Sequence, residues 1–466
     1  DNYADPDTGN LGQEALRLFR SRFPDGIYVE EKTPHSESVQ KTLELIKKRN
    51  TVFNAVLKAD NIAAHIDVLL PVGQDKWDIY TVKCSMGVKN SHLFDSAFIY
   101  HIAQKNRIKI RSCKSVSINP EYIREKELDV YRLFRISDVS SEAGRLFGWV
   151  NRTLKDMNKV LCQKNPPKTE IGAKCFKRFD CPMMDKCWNS IPERSVYLLT
   201  GSDRWTLAKQ LTHSGYALLK DIPDTIQLTE KQKIQVACEK KMKPHIERAE
   251  LRKFLSGLKY PYYFIDFEAM INMVVPVYEN TSPFQQIPFQ FSLHVLNSPE
   301  SQPEHFFYLS KGNSDPRFDM IPLLMKYLGG SGSIIAYNTD FEKKVFRELA
   351  ELDSDFARWY SENSGRFVDL MQPFKVFYYY HPFQDGKISL KKVLPVLTDI
   401  SYSGLDIMDA VTAAEEYMRI TFGDMSETEK EKSRDYLLKY GTQDTLALHR
   451  IIQALFQIAE EPDTNK

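Results

Sequence analysis

The sequence predicts an α/β protein with more than one domain, and three observations support that prediction. The chain has 466 residues, which is more than one ordinary hydrophobic core organises. Its composition, 42% hydrophobic and 27% charged, is typical of globular proteins. Short apolar segments of strand character alternate along it with stretches of helical spacing. Such an order favours sheets flanked by helices.

The composition also limits the functional classes. The net charge is +1, so a nucleic-acid-binding surface would have to be a local basic patch. No apolar run is long enough to cross a bilayer, and the polar start, Asp1-Asn2-Tyr3, does not resemble a signal peptide. Seven cysteines without a secretion signal favour metal binding or burial over disulfides. We therefore expect a cytoplasmic protein.

The N-terminal part is predicted to contain a hairpin and a helix. Residues 63–70 and 77–83 are apolar and rich in β-forming side chains, and the turn signal at 72–75 separates them. Residues 91–105 have helical spacing. Four of the seven cysteines lie in residues 162–190, and residues 191–257 are helical and charged. The predicted division is an N-terminal domain at 1–190, a helical connector at 191–257 and a C-terminal domain at 258–466.

The C-terminal part has a clear order of elements. Its predicted strands are residues 262–267, 289–296, 304–309 and 333–337. Its predicted helices are residues 319–328, a segment beginning near Asp340, and residues 389–397 and 430–460. Strands first and then mixed strands and helices are compatible with a ribonuclease-H-like α/β sheet.

Two acids share one face of the first C-terminal strand. Side chains alternate along a strand, so Asp266 and Glu268 point the same way. Adjacent carboxylates repel each other unless a cation lies between them. The pair indicates a divalent-cation site, and a solvated strand end is the alternative.

Two further acidic clusters follow. Asp340 is suited to an N-cap, and Glu342 would lie in the first turn of the helix that begins there. Tyr440 and Asp444 are four residues apart and share one face of a predicted helix. That helix is mostly apolar, so a surface position does not easily explain its acid.

In this order, the three clusters resemble the DEDDy exonucleases of the DnaQ-like superfamily. The resemblance implies that two Mg²⁺ or Mn²⁺ ions are held by four acids, Asp266, Glu268, Glu342 and Asp444. It also implies that Tyr440 orients the attacking water. The second motif of the family, Asn-x-x-Phe-Asp, aligns with Asn338 and Phe341 and puts Glu342 in the metal position. Asp340 is the alternative ligand.

A wider resemblance covers essentially the whole chain and is most specific between about 260 and 450. Residues 283–294, 369–371, 380–382 and 389–395 are similar to a bacterial family that fuses a RecB-like nuclease domain to a DnaQ-like exonuclease domain. Asn338, Gln286 and Lys391 are then candidate substrate-binding residues. A solvated lysine and a glutamine at a strand edge are the alternatives.

The resemblance extends to the PD-(D/E)XK site of RecB-like nucleases, with two departures. Asp67 and Lys83 match the expected aspartate and lysine. Thr81 stands where the second acid is expected, and Ile99 where these nucleases usually carry glutamine. We therefore expect a degenerate nuclease domain, retained for nucleic-acid binding or architecture. An active site with an acid recruited from elsewhere is the alternative.

Three evenly spaced cysteines, Cys175, Cys181 and Cys187, resemble the C-terminal cysteines of RecB-like nucleases that carry a 4Fe–4S cluster. The fourth ligand of that family lies near the N-terminus, and Cys162 is a possible substitute here. Thiolates also suit Zn²⁺. Buried free thiols are the alternative.

The sequence thus predicts a metal-dependent 3′–5′ exonuclease that hydrolyses phosphodiesters of DNA or RNA from a single-stranded 3′ end. Its fold would be a PD-(D/E)XK-like α/β domain followed by a ribonuclease-H-like α/β domain. Two alternatives remain. One is a catalytically inactive nucleic-acid-binding protein of a repair or defence complex, and the other is an iron–sulfur RecB-like nuclease.

Overall fold

The computed structural model of the chain describes residues 10–30, 36–176, 181–270, 274–312 and 314–462. The polar start of the chain, for which no signal peptide was predicted, lies outside the described residues. The chain divides into unit 1, residues 1–170 and 272–285, and unit 2, residues 171–271 and 286–466. Both units combine helices with a mixed sheet, so the predicted α/β class is confirmed.

Unit 1 is built around one mixed sheet. Its described elements are α1 (Asn10–Arg20), β1 (Ile27–Tyr28), α2 (Ser36–Lys47), β2 (Val52–Ala59), β3 (Ile62–Val72), β4 (Lys76–Val82), α3 (Asn90–Lys105), β5 (Lys109–Ile118), α4 (Val130–Leu133), β6 (Phe134–Asp138) and α5 (Ser140–Leu161). The strands lie in chain order across the sheet. The β1–β2 and β4–β5 pairs are parallel and the other neighbours are antiparallel.

The predicted hairpin of unit 1 is confirmed. β3 and β4 pair antiparallel from Val68 opposite Tyr80 to Val72 opposite Lys76. Gly73 in the connecting turn has a φ of +56°, which glycine adopts without steric cost. Apolar side chains of the sheet, α3 and α5 form a common core, which includes Ile66, Ile79, Ile102, Ala143 and Val150.

Unit 2 has a longer series of elements. They are α6 (Met184–Trp188), α7 (Arg204–His213), α8 (Glu230–Lys241), β7 (His245–Ile246), α9 (Arg248–Ser256), β8 (Tyr262–Met270), β9 (Ile287–Leu296), β10 (Glu304–Leu309), α10 (Arg317–Leu328), β11 (Ser333–Ala336), α11 (Asp340–Ala350), α12 (Ser354–Asn363), β12 (Phe367–Asp369), α13 (Gln372–Lys375), β13 (Tyr379–Tyr380), α14 (Leu390–Leu397), α15 (Ala410–Phe422) and α16 (Glu427–Glu460). The strands and helices predicted for this part are all present, with ends that differ by a few residues.

The main sheet of unit 2 has the order β10-β9-β8-β11-β12. β10, β9 and β8 pair antiparallel, and β11 and β12 continue the sheet parallel to β8. The strand that carries the first acidic pair is therefore central. Every residue of β9 and of β11 is buried. Helices α10 and α16 pack against β9, and β11 lies between β8 and β12.

The predicted connector differs from what the structure shows. Residues 191–257 group with unit 2 rather than standing apart, and so do residues 171–190, which were predicted as part of the N-terminal domain. Their apolar side chains form a buried cluster, which includes Val196, Leu199, Leu211, Leu219, Ile222 and Val236. β7 pairs with β13, and α9 packs against α16. Most charged residues of α7, α8 and α9 are exposed, whereas Glu239 of α8 is buried and pairs with Arg194.

Helix α16 is the longest of the described helices, with 34 residues. The Ser426 hydroxyl accepts from the backbone N–H of Glu429, whose side chain accepts in return from the Ser426 backbone, and this capping box starts the helix. Its buried residues recur at helical spacing and form one stripe against the sheet. None of the described helices, α16 included, is long and apolar enough to cross a membrane.

Candidate metal centre

Three carboxylates from two elements meet in unit 2. Asp266 and Glu268 project from the same face of β8, as the alternation of a strand predicts, and Asp444 projects from α16. Each offers one oxygen, and these oxygens lie within 4.8 Å of one another. Glu268 and Asp444 are buried, and Asp266 is half-buried. Oxygen ligands at this spacing suit a hard divalent cation such as Mg²⁺.

The electrostatics of this group favour a cation. Burial, followed by the charges of Asp444 and Glu268, raises the pKa of Asp266 well above its usual value. Burial and the charge of Asp444 do the same to the pKa of Glu268. Burial also raises the pKa of Asp444, to about 6. Carboxylates in this state gain free energy from a positive ion between them.

Polar contacts fasten α16 to β9 next to Asp444. Gln290 Nε2 donates to the carbonyl of Leu437 at 2.9 Å. The Thr445 hydroxyl is 2.8 Å from the Ser292 hydroxyl and 2.8 Å from His294 Nδ1. Thr445 directly follows Asp444 in the chain. These contacts therefore fix the position of the Asp444 carboxylate relative to β8.

Glu342 comes to the same region from the neighbouring strand. β11 runs parallel to β8, with Ile335 opposite Phe264, so the chain that leaves β11 enters α11 beside the acids of β8. Glu342 is 2% exposed, and among the described residues its Oε2 has no hydrogen-bond partner. Its charge raises the pKa of Asp266. It lies outside the group whose oxygens approach within 4.8 Å.

The structure separates Glu342 from the alternative ligand Asp340. Burial, followed by the charges of Asp369 and Asp340, raises the pKa of Glu342 to about 8. Asp340 is exposed at the first position of α11. The acid selected by the alignment on Asn338 and Phe341, Glu342, is therefore the buried one, and Asp340 is the exposed one.

Two tyrosines, one of them not predicted, flank Asp444. Tyr440 is buried one turn before Asp444, on the same face of α16. Tyr402 donates its hydroxyl to Asp444 Oδ1, and its ring centroid lies 6.2 Å from that of Tyr440. Tyr402 belongs to the loop between α14 and α15, where no periodic pattern in the sequence marks it. Only the folded chain brings it to Asp444.

Lys391, a candidate substrate-binding residue, lies near the acids. Its positive charge lowers the pKa of Glu268 and of Asp444. Its Nζ donates to the carbonyl of Met408. Asp409, which the sequence did not single out, caps α15 and raises the pKa of Glu268. The site thus contains a positively charged side chain, Lys391, and a further acid, Asp409.

The other two candidate substrate-binding residues contact other groups. Gln286 Oε1 accepts from Lys344 Nζ at 2.8 Å. Asn338 is exposed with a φ of +65°, and its backbone N–H donates to Asp369 Oδ1 at 2.9 Å. Asparagine tolerates this left-handed conformation better than most residues, which accounts for its place at the sharp turn before α11.

The candidate site of unit 1 is formed by the predicted hairpin. Asp67 Oδ2 on β3 accepts from the backbone N–H of Val82 at 2.7 Å. Lys83 Nζ lies 2.9 Å from Asp95 Oδ2 on α3, an acid that the motif does not include. Burial raises the pKa of Asp67, and the charge of Lys83 lowers it. Thr81 and Ile99 are buried.

The three evenly spaced cysteines lie in the first part of unit 2. Cys175 is buried, whereas Cys181 and Cys187 are partly exposed. The backbone N–H of Cys181 donates to the carbonyl of Cys175 at 3.0 Å. Residues 177–180 between them are outside the described part, within which no group of ligand atoms that could hold a metal includes these thiols.

Comparison with known proteins returns one similarity. A family described only as a domain of unknown function, DUF2779, matches residues 263–389. That range is less than half of the chain and contains Asp266, Glu268 and Glu342, but ends before Tyr402 and Asp444. No curated protein and no solved structure matches the chain.

Proposed function

We propose that unit 2 is a metal-dependent 3′–5′ exonuclease that hydrolyses the phosphodiesters of DNA or RNA. The proposal rests on one observation above all: carboxylate oxygens of Asp266, Glu268 and Asp444 lie within 4.8 Å of one another in a largely buried site. Like charges at this distance need a compensating cation. Glu342 is also buried, and its Oε2, which has no hydrogen-bond partner among the described residues, is available as a further oxygen ligand.

The strand order supports the proposal independently. In unit 2, three antiparallel strands are followed by two parallel ones, with the acids on the central strand β8. This order is the one we expect of a ribonuclease-H-like nuclease domain, and the helix that supplies Asp444 is the last described element. The acids thus come from a strand, a strand-to-helix turn and the last helix, as the resemblance to DEDDy exonucleases implies.

Two Mg²⁺ or Mn²⁺ ions would, when bound, activate a water and stabilise the charge that develops on a phosphodiester. The residues of the chain do the rest. Asp266, Glu268, Asp444 and Glu342 provide hard oxygen ligands. Tyr440, which is buried one turn before Asp444, would orient the attacking water.

Lys391 suits contact with a phosphate oxygen. It is exposed, and its charge already reaches Glu268 and Asp444. A lysine near the acids attracts the anionic backbone of a single-stranded nucleic acid toward them. Gln286 and Asn338 are proposed as outer contacts of the strand. A cytoplasmic location belongs to the same proposal, because nucleic acid is available there.

The proposal is tested with end-labelled single-stranded DNA and RNA in Mg²⁺ or Mn²⁺. We expect the wild type to shorten the substrates from the 3′ end, and Asp266→Ala and Glu268→Ala each to lose at least about 100-fold in rate, because a lost ligand removes several kcal/mol of transition-state stabilisation. Asp67→Ala in unit 1 is the matched control and retains the activity. A wild type that degrades neither substrate contradicts the proposal.

For unit 1 we propose a degenerate nuclease site retained for nucleic-acid binding or architecture. The ion pair between Lys83 and Asp95 supports this, because it engages the lysine that would otherwise position water. If the site instead uses Asp95 as a recruited acid, Asp67→Ala lowers metal-dependent endonuclease activity of the full chain. Substrates without free ends separate the two cases.

For Cys175, Cys181 and Cys187 we propose a 4Fe–4S cluster or Zn²⁺, on the basis of their soft ligands and regular spacing alone. Elemental analysis and the visible absorption spectrum of protein purified without oxygen decide between iron, zinc and free thiols. Protein with neither metal contradicts the proposal.

A further inference from the structure

Tyr402 is the unpredicted residue closest to the chemistry proposed for unit 2. It lies in the loop between α14 and α15, 8% exposed, and donates its hydroxyl to Asp444 Oδ1. Tyr402 is not a plausible ligand itself, because it approaches the acids through a donated proton. Its role must therefore be exerted through Asp444.

The consequence for Asp444 follows from the donor and acceptor chemistry of a carboxylate. A carboxylate can rotate about its last bond, and either oxygen can bind a cation. A hydroxyl fixed on Oδ1 restricts that rotation and leaves Oδ2 as the more available oxygen. Hydrogen bonds of this kind to a ligand orient it and raise or lower its affinity for the cation.

Tyr402 is itself held in place from two sides. Gln443 Nε2 on α16 donates to the carbonyl of Ser401 at 3.3 Å, immediately before Tyr402. Lys391 Nζ on α14 lies 5.7 Å from the centre of the Tyr402 ring and donates to Met408 O farther along the loop. The loop is thereby attached to both α14 and α16. This attachment restricts the movement of Tyr402, which suits it to fix the orientation of the Asp444 carboxylate.

We propose that Tyr402 is a positioning residue that sets the divalent-cation affinity of the site through Asp444. The inference rests on the proposed function of unit 2 and deepens it, since it divides the work of two neighbouring tyrosines. Tyr402 acts on the ligand, whereas Tyr440 acts on the water that attacks the substrate. The two roles have different kinetic signatures.

The test compares Tyr402→Phe with Tyr440→Phe and Tyr417→Phe in the full chain. Tyr417 is a matched control because it is buried on α15, stacks on Phe289 at 4.0 Å, and has a hydroxyl with no hydrogen-bond partner among the described residues. Mn²⁺ binding is measured by electron paramagnetic resonance without substrate. The Mn²⁺ concentration for half-maximal activity and kcat at saturating Mn²⁺ are measured on labelled single strands.

We expect Tyr402→Phe to weaken Mn²⁺ binding and raise the half-maximal Mn²⁺ concentration by about tenfold, the usual effect of removing a hydrogen bond to a metal ligand. Saturating Mn²⁺ should restore kcat to within about threefold of the wild type. Tyr440→Phe should show the reverse pattern, with a reduced kcat and unchanged Mn²⁺ binding. Tyr417→Phe should match the wild type in both measurements.

Unchanged Mn²⁺ affinity in Tyr402→Phe overturns the inference, even if the exonuclease activity is real. Wild type that binds Mn²⁺ but degrades nothing refutes the proposed activity, and the binding measurement still decides the role of Tyr402. Wild type that binds no Mn²⁺ overturns both. If Tyr402→Phe does not fold, Gln443→Ala replaces it, because it removes the hydrogen bond that holds Ser401, next to Tyr402, on α16, and unchanged Mn²⁺ affinity there counts against the inference.

Discussion

Asp266, Glu268 and Asp444 repel one another in the metal-free protein, and that repulsion destabilises the folded state. Burial raises all three pKa values, that of Asp444 to about 6, and the charges of the neighbouring acids further raise those of Asp266 and Glu268. A folded-state pKa above the unfolded value means that the folded protein binds more protons between the two values. The stability that protonation provides is present at low pH and is lost as the pH rises through the folded-state pKa.

We therefore expect Asp444→Asn to stabilise the protein at pH 8 in the presence of EDTA. The amide keeps an oxygen for the Tyr402 hydroxyl and removes one like charge. A shift of the size seen for Asp444 corresponds to roughly 1–3 kcal/mol in the free energy of unfolding. Denaturant titration at pH 8 should show the difference between variant and wild type, and at pH 5, where Asp444 is mostly protonated, the difference should become small.

Asp435→Asn is the control on the same helix, because Asp435 is exposed and pairs with Lys439 at 2.6 Å. It should change stability little at either pH, as expected for a surface ion pair. Added Mg²⁺ should stabilise the wild type more than Asp444→Asn. If Asp444→Asn is less stable than the wild type at pH 8 in EDTA, electrostatic repulsion among the three acids does not destabilise the folded protein.

Glu342 and Asp340 are the two candidates for the second-motif ligand, and single-residue variants distinguish them. Glu342 is buried and its Oε2 has no hydrogen-bond partner among the described residues, whereas Asp340 is exposed. We expect Glu342→Gln to lower the Mg²⁺-dependent exonuclease rate by about 100-fold or more, since charge on a ligand is worth several kcal/mol there. Asp340→Asn should keep most of the rate. Equal losses in the two variants, measured on the same labelled strand, would contradict this assignment.

At the scale of elements, the contact between α16 and β9 decides where Asp444 stands. Gly441 allows a close approach, because a Cβ at that position would lie 2.4 Å from Gln290 Nε2. That amide is buried and donates to the carbonyl of Leu437. A side chain at position 441 must therefore either displace the helix or break this hydrogen bond.

We expect Gly441→Ala to destabilise unit 2 and to reduce metal affinity. Overpacking costs about 1–3 kcal/mol, which exceeds the gain of about 1 kcal/mol from replacing glycine by alanine in a helix. Gly144→Ala on α5 is the matched control, since a Cβ there meets nothing within 4 Å, and it should be neutral or stabilising. Thermal unfolding and Mn²⁺ titration of both variants measure the two effects. A stabilised Gly441→Ala would show that the contact is not tight.

At the scale of the whole molecule, unit 2 begins well before its main sheet. Leu251 and Leu255 of α9 are buried, and Arg252 Nη1 donates to the carbonyl of Ala459 near the end of α16 at 2.7 Å. Arg248 also pairs with Glu461 at 3.0 Å. The residues predicted as a connector thus support the helix that carries Asp444.

Two fragments test this division of the chain. We expect residues 171–466 to unfold cooperatively on heating and residues 258–466 to show no cooperative transition, because the shorter fragment exposes the apolar faces that α9 and its neighbours cover. Both fragments contain residues 272–285, so that segment does not distinguish them. Near-ultraviolet circular dichroism during heating makes the comparison. Equal cooperativity would restore the connector interpretation.

The sequence by itself determined the α/β class, the hairpin of unit 1, the succession of strands and helices in unit 2, and the acids Asp266, Glu268 and Asp444 as one group. These features are local or periodic: alternation along a strand places Asp266 with Glu268, and one helical turn joins Tyr440 to Asp444. Their order along the chain resembles that of the DEDDy exonucleases, and it is this resemblance that predicted that Asp444 joins them. Patterns of this kind are present before the chain folds.

The tertiary structure alone decided that residues 171–257 belong to unit 2, that Glu342 is buried while Asp340 is exposed, and that Tyr402 contacts Asp444. The charge of the helices in residues 191–257 does not reveal which apolar side chains are covered, so this segment was predicted as a separate connector. Both Asp340 and Glu342 are favourable at a helix start, and only burial separates them. Tyr402 meets Asp444 across 42 residues of chain, through a loop that carries no periodic signal.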